Sequence, residues 1–564
     1  MQKTQPKGST SSAKLSSTPR STSKRRWTAL VGVGLNARVA ARIHQLSNLD
    51  LWKRRTASIQ IAQLRKLLLT AADTEFGKAH DFRRLAMLPP WDVVAAYQRA
   101  VPQGDFAAYR ADIVRMREHG QANILWPGVV KDYAQTSGTT AGDKYIPVSK
   151  QMLRSNFLAS LDIFANAARF GASLPAITNG RCLFLGGSTS LSTNDHGIRT
   201  GDLSGLVTPL IKWPITKIYS PGPKIALMSH WPSKIDAMAE ACIDQDIRMI
   251  SGMPSWALVL FEKVIELARK RGRKAECVRD VWPNLMLFVH GGVKYTPFDP
   301  RVRQMFSGRP DGDDIPYRLE LYPASEGFIA MQDTQDDPGM RLLSDIGNFY
   351  EFIPLEEIDS PTARAFTCDQ VEKGQRYVVT MSTCAGFWRY IIGDVVEFDN
   401  IPSRLDGRGG DGPCRLRIVG RHRHFINAFG ENLIVEHIEN AVAAAAKATG
   451  TVIGEFTAAP VYAGPGRRAG LELAVEVAGD PKGVRIEPFR DAFDKSLKDQ
   501  NVDYTTKRTD DVGMVPPTIT PIAVGSFHRW LESKGKLGGQ HKCPRCANHR
   551  EIIDGLIEVA GQRR

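Results

Sequence analysis

The stretch Gln135-Thr136-Ser137-Gly138-Thr139-Thr140-Ala141-Gly142-Asp143-Lys144 is the segment on which the interpretation of this chain depends. Seven consecutive residues in it are small or carry a hydroxyl group, and an acid and a base follow them. The runs at 127–130 and 145–148 on either side predict two strands. Glycine adopts dihedral angles that a Cβ forbids, so a glycine-rich link can turn its N–H groups inward. Such a concave row, with hydroxyls and a lysine, suits a polyphosphate; a plain surface turn is the alternative.

Length and composition indicate a multidomain globular protein. The 564 residues exceed one ordinary core, so two or more domains are expected. Hydrophobic content of 42% and charged content of 24% are ordinary for this class. No apolar run reaches the roughly eighteen residues of a membrane span. The eight cysteines are irregularly spaced and predict no disulfide framework.

The net charge of +14 is unevenly placed. Residues 1–27 carry seven basic residues and no acid, and the remaining +7 is spread over the rest of the chain. That mild field attracts anionic substrates, and a nucleic-acid partner is not expected. The Ser-, Thr- and Lys-rich residues 1–35 predict a disordered basic tail. Residues 25–35 are similar to a twin-arginine or secretory signal, but the apolar segment is short and lacks a clear cleavage site, so a cytoplasmic protein is expected.

Apolar periodicity predicts an α/β protein. Helical spacing covers residues 39–72 and 149–171. Between 181 and 300, strands at 182–185, 247–250 and 285–289 alternate with helices at 233–243 and 255–271, which is typical of a largely parallel sheet. Ligands collect at the carboxyl ends of such strands, and segments 290–293 and 322–327 follow strands there.

The last third of the chain predicts two further units. Strands at 348–353, 375–380 and 394–398 alternate with period two and predict an antiparallel sheet or small barrel. A domain boundary is placed at Gly420-Arg421-His422-Arg423. Beyond it, helices near 434 and at 487–498 and strands near 451–458 and 471–477 predict a smaller α+β domain.

Three segments carry a family resemblance. Thr136-Ser137-Gly138-Thr139-Thr140, Tyr322-Pro323-Ala324-Ser325-Glu326-Gly327 and Trp388-Arg389-Tyr390-Ile391-Ile392-Gly393-Asp394 occur in this order, with smaller matches at 348–354, 420–421, 430–431, 501–508 and 539–545. From about residue 63 to 554 the chain resembles the GH3 acyl-acid amido synthetases, an adenylate-forming family. Trp388 replaces a usual tyrosine, and Asn432 stands where a lysine is common. The first loop is a residue shorter than in many members, which leaves the role of Lys144 open.

The resemblance implies a fold and an activity. The fold is a large N-terminal adenylate-forming domain at 36–420, with α/β sheets and a small β-barrel that bind nucleotide and acyl acid, and a mobile C-terminal lid at 421–564. The activity is ATP-dependent conversion of a carboxylic acid to an acyl-adenylate, then transfer to an amine or amino acid with release of AMP. ATP and Mg²⁺ are the implied cofactors, and a small carboxylic acid and an amine are the implied partners.

Site residues follow from the same resemblance. Thr136, Ser137, Gly138, Thr139 and Thr140 would hold the phosphates. Glu326 would act in catalysis as the Mg²⁺ ligand, Asp394 would bind the ribose, and Arg421 would reach the ribose or phosphate. Tyr322 would stack on adenine, Ser325 would also bind the cofactor, and Lys542 would act in catalysis by neutralising the α-phosphate. Without the motifs, ordinary turn, surface or core roles are the alternative for each.

Other functions stay open at this level. An acyl-CoA ligase would share the first step and use a thiol acceptor. A non-catalytic nucleotide-binding module would keep the motifs without turnover, and a nucleic-acid binder would use the tail. Cys543-Pro544-Arg545-Cys546 with His541 and His549 also allows a zinc site, although no second CxxC exists.

Overall fold

The computed structural model describes residues 27–136, 144–186, 191–228, 230–292, 295, 298–422, 425–427, 429–431, 433–464, 467–477, 480–534 and 543–561. Six helices come first: α1 (Ala29–Ser47), α2 (Leu49–Ala71), α3 (Glu75–Ala79), α4 (Phe82–Met87), α5 (Val93–Ala100) and α6 (Phe106–Arg117). The single helix predicted at 39–72 is two helices. They separate at Asn48, whose side chain accepts a 2.9 Å hydrogen bond from the Leu51 N–H and caps α2.

The beginning of α1 corrects the predicted disordered tail. Residues 29–35 already belong to this helix, so the predicted tail 1–35 is too long, and residues 1–26 lie outside the described residues. Gly32 is buried, and a Cβ there would lie 2.5 Å from the carbonyl oxygen of Leu174. The segment similar to a signal therefore ends in a helix that packs tightly against the fold.

The glycine-rich loop joins two paired strands. The next elements are β1 (Asp132–Thr136), β2 (Lys144–Pro147), α7 (Lys150–Arg169), α8 (Leu174–Thr178), β3 (Arg181–Phe184), β4 (Ser192–Thr193), β5 (Arg199–Gly201) and α9 (Leu203–Val207). Strands β1 and β2 are antiparallel and belong to a four-stranded sheet of order β2-β1-β5-β4. The strand predicted at 127–130 is wrong, since β1 begins at Asp132. The strand predicted at 145–148 and the helix predicted at 149–171 are confirmed as β2 and α7.

The predicted parallel sheet is confirmed. Its further elements are β6 (Tyr219–Ser220), α10 (Pro223–Ala226), α11 (Trp231–Cys242), β7 (Ile247–Ser251), α12 (Pro254–Lys270), α13 (Val278–Val281), β8 (Leu287–Gly291), α14 (Asp299–Ser307) and β9 (Tyr317–Ala324). Strands β9-β8-β7-β3-β6 lie side by side in parallel. Helices pack on both faces, which explains why these strands read as nearly continuous apolar runs.

The predicted antiparallel strands extend the same sheet. They are β10 (Gly327–Gln332), β11 (Met340–Leu342), β12 (Phe349–Pro354), β13 (Tyr377–Ser382), β14 (Tyr390–Asn400) and β15 (Arg415–Arg421). The full order is β12-β13-β14-β15-β11-β10-β9-β8-β7-β3-β6, eleven strands in one mixed sheet. The antiparallel part is thus continuous with the parallel part through the β9–β10 hairpin.

The C-terminal segment forms a smaller α+β unit, as predicted. Its elements are β16 (Phe425–Ile426), β17 (Leu433–Ile434), α15 (Val435–Thr449), β18 (Ile453–Val461), β19 (Gly470–Val477), α16 (Ile486–Gln500), α17 (Val502–Arg508), β20 (Thr518–Ala523), α18 (Ser526–Ser533) and α19 (Glu551–Val559). Strands β18, β19 and β20 form one sheet, and α15 and α16 contribute to its apolar core.

This unit is packed against the large sheet's helices. The Trp256 indole N–H donates a 3.1 Å hydrogen bond to the Phe429 carbonyl, and the Lys507 ammonium lies 4.2 Å from the Trp256 ring centroid. Aromatic and aliphatic side chains of α11 and α12 therefore share a core with the C-terminal segment. Among the described helices, none is both long and apolar enough to cross a bilayer.

Candidate functional site

Glu326 lies in the two-residue turn between β9 and β10. The turn consists of Ser325 and Glu326, because Ala324 and Gly327 are paired in register. Gly327 has φ +148°, and a Cβ there would lie 2.8 Å from Asn348 Nδ2. Glu326 is nevertheless buried, with 8% of its surface exposed, while Ser325 is half-buried. The hairpin thus directs a carboxyl group inward, which is costly unless partners compensate it.

Those partners come from three other elements. Burial raises the pKa of Glu326, and the charges of Lys144 and Arg421 together with a hydrogen bond from Tyr390 oppose that shift. Burial likewise raises the pKa of Tyr390 well above its ordinary value, so this phenol stays a donor. Lys144, whose role the sequence left open, is therefore part of the electrostatic surroundings of Glu326.

Asp394 is held between Tyr322 and Arg421. The Tyr322 hydroxyl donates to Asp394 Oδ2 at 2.6 Å, and Arg421 Nε donates to Oδ1 at 2.6 Å. Asp394 and Arg421 face each other across β14 and β15, which fixes the second contact by strand register. Burial, then the Asp394 charge, raises the pKa of Tyr322 well above its ordinary value. The predicted adenine-stacking residue is thus a buried phenol that orients a carboxylate.

The predicted phosphate loop begins and ends beside this group. Thr136 is the last residue of β1 and lies opposite Lys144, the first residue of β2. Ser137, Gly138, Thr139 and Thr140 lie outside the described residues. The two residues that flank the loop, Thr136 and Lys144, are thus held side by side. Lys144 interacts electrostatically with Glu326, which places the loop ends near the β9–β10 turn.

The third motif also supplies structural support that the sequence did not predict. Arg389 Nε donates to Glu351 at 3.1 Å, and its Nη1 donates to the carbonyls of Gln98 and Val101 at 3.0 and 2.9 Å. Both charged groups are buried, and Trp388 is fully buried against Phe82, 4.5 Å between ring centroids. A glutamate within an apolar strand was the available signal for this pair. It anchors the start of β14, where Tyr390 and Asp394 are displayed.

A buried histidine lies at the carboxyl end of β8, where the predicted segment 290–293 begins. His290 lies beside Glu320 across β8 and β9, and neither of its ring nitrogens has a hydrogen-bond partner. Burial lowers the pKa of His290 to about 3, so it is neutral. Burial also raises the pKa of Glu320 to about 7.

The predicted catalytic Lys542 lies outside the described residues, as do His541 and Asn432. The chain directly after Lys542 is attached to β18. The Thr457 hydroxyl donates a hydrogen bond to the Pro544 carbonyl at 2.7 Å, and the backbone of Cys546 forms an isolated β-bridge with that of Ala458. Burial raises the pKa of Cys543 and of Cys546 to about 12. Within the described ranges, no three His, Cys, Asp or Glu side chains group as metal ligands would, so the zinc alternative gains no support there.

Three parts of the chain match models of one protein family. Family models for the GH3 family N-terminal domain match residues 45–220 and 200–310, the central-domain model matches 341–405, and the C-terminal-domain model matches 436–551. These matches cover most of the chain, and the first and third predicted motifs lie within the N-terminal and central matches.

The curated relatives are distant in sequence. The chain is 24% identical over 311 residues to jasmonoyl–L-amino acid synthetase JAR4 of Nicotiana attenuata, covering 53% of this chain and 50% of that protein. It is 22% identical over 573 residues to the probable indole-3-acetic acid-amido synthetase GH3.1 of Arabidopsis thaliana, covering 89% and 91%. The chain thus spans about half the length of the first curated relatives it matches.

A solved structure shares the fold. The AtGH3.15 acyl acid amido synthetase in complex with 2,4-DB superposes with a TM-score of 0.54 at 15% identity, covering 91% of this chain and 95% of that one. The fold, the order of the family matches and the convergence of the second and third motifs agree, and the chain belongs to the GH3 family.

Proposed function

We propose that this protein is an ATP-dependent ligase that activates a small carboxylic acid as an acyl-adenylate and transfers the acyl group to an amine or amino acid. The observation that carries the proposal is the meeting of Asp394, Arg421, Tyr322, Glu326 and Lys144 at one place. The names of the relatives, which describe amido synthetases, support the same reaction class.

The first step, formation of the acyl-adenylate, needs cationic groups that stabilise negative charge on the phosphates. A carboxylate is a poor electrophile because its carbonyl carbon shares delocalised negative charge. Attack of the carboxylate oxygen on the α-phosphorus of ATP forms a P–O bond and expels pyrophosphate. Charge moves between phosphate oxygens throughout, so the protein contributes positioning and electrostatic stabilisation. Lys144 and Arg421 are the cations that this group of residues offers.

Glu326 fits the role of a magnesium ligand. Its carboxyl group is buried and its pKa is raised by burial, and a bound cation would favour the ionised form. Mg²⁺ is commonly held by one or two carboxylates while substrate phosphates and water complete its shell. One carboxylate at the phosphate-loop ends suits that arrangement, and the described residues nearby form no all-protein cage. Glu326 would hold the ion, whose positive charge would help to neutralise the phosphates.

Asp394 fits the role of a ribose-binding residue. Each carboxylate oxygen has more than one lone-pair direction, so it can accept from a ribose hydroxyl while keeping Tyr322 and Arg421. Those two donors fix the orientation of the carboxylate before a nucleotide binds. Arg421 would then reach the ribose or the phosphates.

The second step is proposed to involve the C-terminal unit. Domains at 36–420 and 421–564 would rotate about residues 420–423, bring Lys542 to the α-phosphate for adenylation and withdraw it for transfer. The amine would attack the carbonyl carbon, and AMP would leave with the bonding electron pair. Residues 543–546 are attached to β18, which supports a Lys542 that travels with this unit.

The cytoplasmic location stays a prediction of the sequence.

Acid-dependent ATP–pyrophosphate exchange tests the proposal. Aromatic, indolic and aliphatic acids would be screened, and the best acid then offered with amino acids or with coenzyme A. An amide product supports the amido synthetase, and a thioester instead would support the acyl-CoA ligase. ATP binding without exchange for any acid would overturn catalysis in favour of a nucleotide-binding module.

A further inference from the structure

Two stretches without any acidic residue account for nearly all of the net charge. Residues 1–49 and 203–235 contain no Asp or Glu and together carry 13 Lys and Arg. The rest of the chain carries 61 basic and 60 acidic residues, so it is almost neutral. The positive charge is therefore a local property of two segments far apart in sequence.

The fold brings these two segments together. The rings of Trp27, just before α1, and Trp213, in the loop after α9, stack with centroids 6.4 Å apart and planes 18° from parallel. Lys212 and Lys217 flank Trp213 and are exposed, and no described ion pair involves either of them. The basic residues 1–26 continue directly into Trp27.

The same place exposes large apolar side chains. The exposed fractions are 51% for Trp27, 68% for Leu30, 53% for Val33, 71% for Trp213 and 42% for Ile215. Leu30 and Val33 lie one turn apart on the outer face of α1, while the opposite face buries Gly32, Val39 and Leu46 in the fold. Neighbouring exposed apolar groups of this size mark an interaction surface. We call Trp27, Leu30, Val33, Lys212, Trp213, Ile215 and Lys217 the aromatic–basic patch.

We propose that the aromatic–basic patch docks on the surface of an anionic lipid bilayer. Tryptophan side chains favour the membrane–water interface, and aliphatic neighbours gain by entering the acyl boundary. Lysines and arginines add attraction to anionic headgroups, and stable anchoring generally needs both contributions. Nucleic acid matches the charge but offers no apolar phase for Leu30, Val33 and Ile215. This inference does not rest on the proposed ligase activity.

Vesicle flotation with the full-length protein tests the proposal. Binding is expected to vesicles with about a third phosphatidylglycerol and to be at least tenfold weaker to pure phosphatidylcholine. Trp213→Ser with Ile215→Ser should weaken binding at least tenfold, and Lys212→Ala with Lys217→Ala should weaken it by roughly fivefold per lysine. Deleting residues 2–26 should weaken it as well, and salt should reduce what remains.

Two matched variants serve as controls. Trp91→Ser removes a tryptophan that is 65% exposed elsewhere, and Lys447→Ala with Lys495→Ala removes two exposed charges from the C-terminal unit. Both should bind vesicles like the unaltered protein. Thermal unfolding confirms that each variant is folded, and the lysine variant is a second test should the Trp213 variant misfold.

Several results would overturn the proposal. These are absence of binding to anionic vesicles, equal losses in the patch variants and their controls, or Trp213-dependent binding of a labelled DNA or RNA oligonucleotide without vesicle binding. A dimer in sedimentation analysis that dissociates on Trp213→Ser, without lipid binding, would assign the patch to a second copy of the chain.

Discussion

The phenol of Tyr322 donates a 2.6 Å hydrogen bond to Asp394, a residue 72 positions further along the chain. This contact joins the turn motif after β9 to the motif that enters β14. Because Asp394 also accepts from Arg421 at 2.6 Å, the three side chains form one hydrogen-bonded unit. Substitutions within such a unit are expected to be non-additive.

Removing the Asp394 charge tests this unit. Asp394→Asn is expected to lower kcat/KM for acid-dependent ATP–pyrophosphate exchange by roughly a hundredfold or more, and Tyr322→Phe by roughly tenfold. The double variant should be little worse than Asp394→Asn alone. Asp399→Asn, on the same strand and paired with Arg417 near the surface, is the control and should change exchange less than about twofold. Additive losses would contradict a shared role.

Glu326→Gln tests the proposed magnesium ligand. The change keeps the shape of the side chain and removes the charge, so the Mg²⁺ concentration that gives half-maximal exchange is expected to rise at least tenfold. Titration with MgCl₂ at saturating ATP measures it. Glu397→Gln, on the outer face of β14, should leave the titration unchanged. An unaltered Mg²⁺ requirement in Glu326→Gln would show that this carboxylate does not hold the ion.

The buried ion pair between Arg389 and Glu351 should contribute strongly to the stability of the fold. Arg389→Met leaves the buried Glu351 carboxylate without the opposite charge of Arg389 and with the 2.9 Å hydrogen bond from Gln98, which is expected to lower the free energy of unfolding by about 3–5 kcal/mol. Arg376→Met breaks an exposed pair with Glu397 and should cost less than about 1 kcal/mol. Denaturant unfolding compares the two variants. Equal losses in the free energy of unfolding would mean that the buried pair stabilises the fold no more than the exposed pair does.

Glu320 should make stability depend on pH. Burial raises the pKa of Glu320 to about 7, against about 4.3 in an unfolded chain, so the folded state holds the proton more tightly. Its contribution is complete below about pH 4 and is lost as pH rises through about 7. Glu320→Gln cannot ionise, so its stability relative to the unaltered protein should increase as the pH rises from about 4 to about 7 and then level off, by up to about 4 kcal/mol in all. A pH-independent difference would contradict this assignment.

Lys542→Ala tests the predicted catalytic lysine. Pyrophosphate release from ATP and the true acid is expected to fall at least a hundredfold, because the ammonium would no longer neutralise the charge that develops at the α-phosphate. Transfer from a supplied acyl-adenylate to the amine should fall much less. Unchanged pyrophosphate release would remove Lys542 from the mechanism. Lys534→Ala, at the end of α18, is the control.

Hydrophobic periodicity predicted strands and helices of the sheet region. It missed the features that depend on contacts between residues distant in sequence. Helix α7 and the strands at 182–185 and 247–250 follow from local patterns, because capping and apolar runs are read within a few residues. The run at 127–130 is apolar yet not a strand, since Gly128 has φ +75° and pairing begins only at Asp132. Which strands pair is decided by tertiary contacts that local sequence does not contain.

The candidate site divides in the same way. The family resemblance predicted roles for Glu326, Asp394 and Arg421, but it gave no indication that Tyr322 would bind Asp394 or that Lys144 would act on Glu326. Both contacts join elements that are distant in sequence, so only the folded chain brings them together. Residues 29–35 of α1 were likewise predicted as part of the tail, because composition does not reveal that α8 covers Gly32.

The register of β14 and β15 has one more consequence. Arg421 is the last residue of β15 and lies directly opposite Asp394, so the ladder fastens the polypeptide up to this point. In the proposed rotation about residues 420–423, Gly420 and Arg421 would then stay paired with β14, and the change of direction would fall on residues 422–423. The carboxylate and guanidinium that would grip a nucleotide can therefore stay in place while the unit changes position between the two half-reactions.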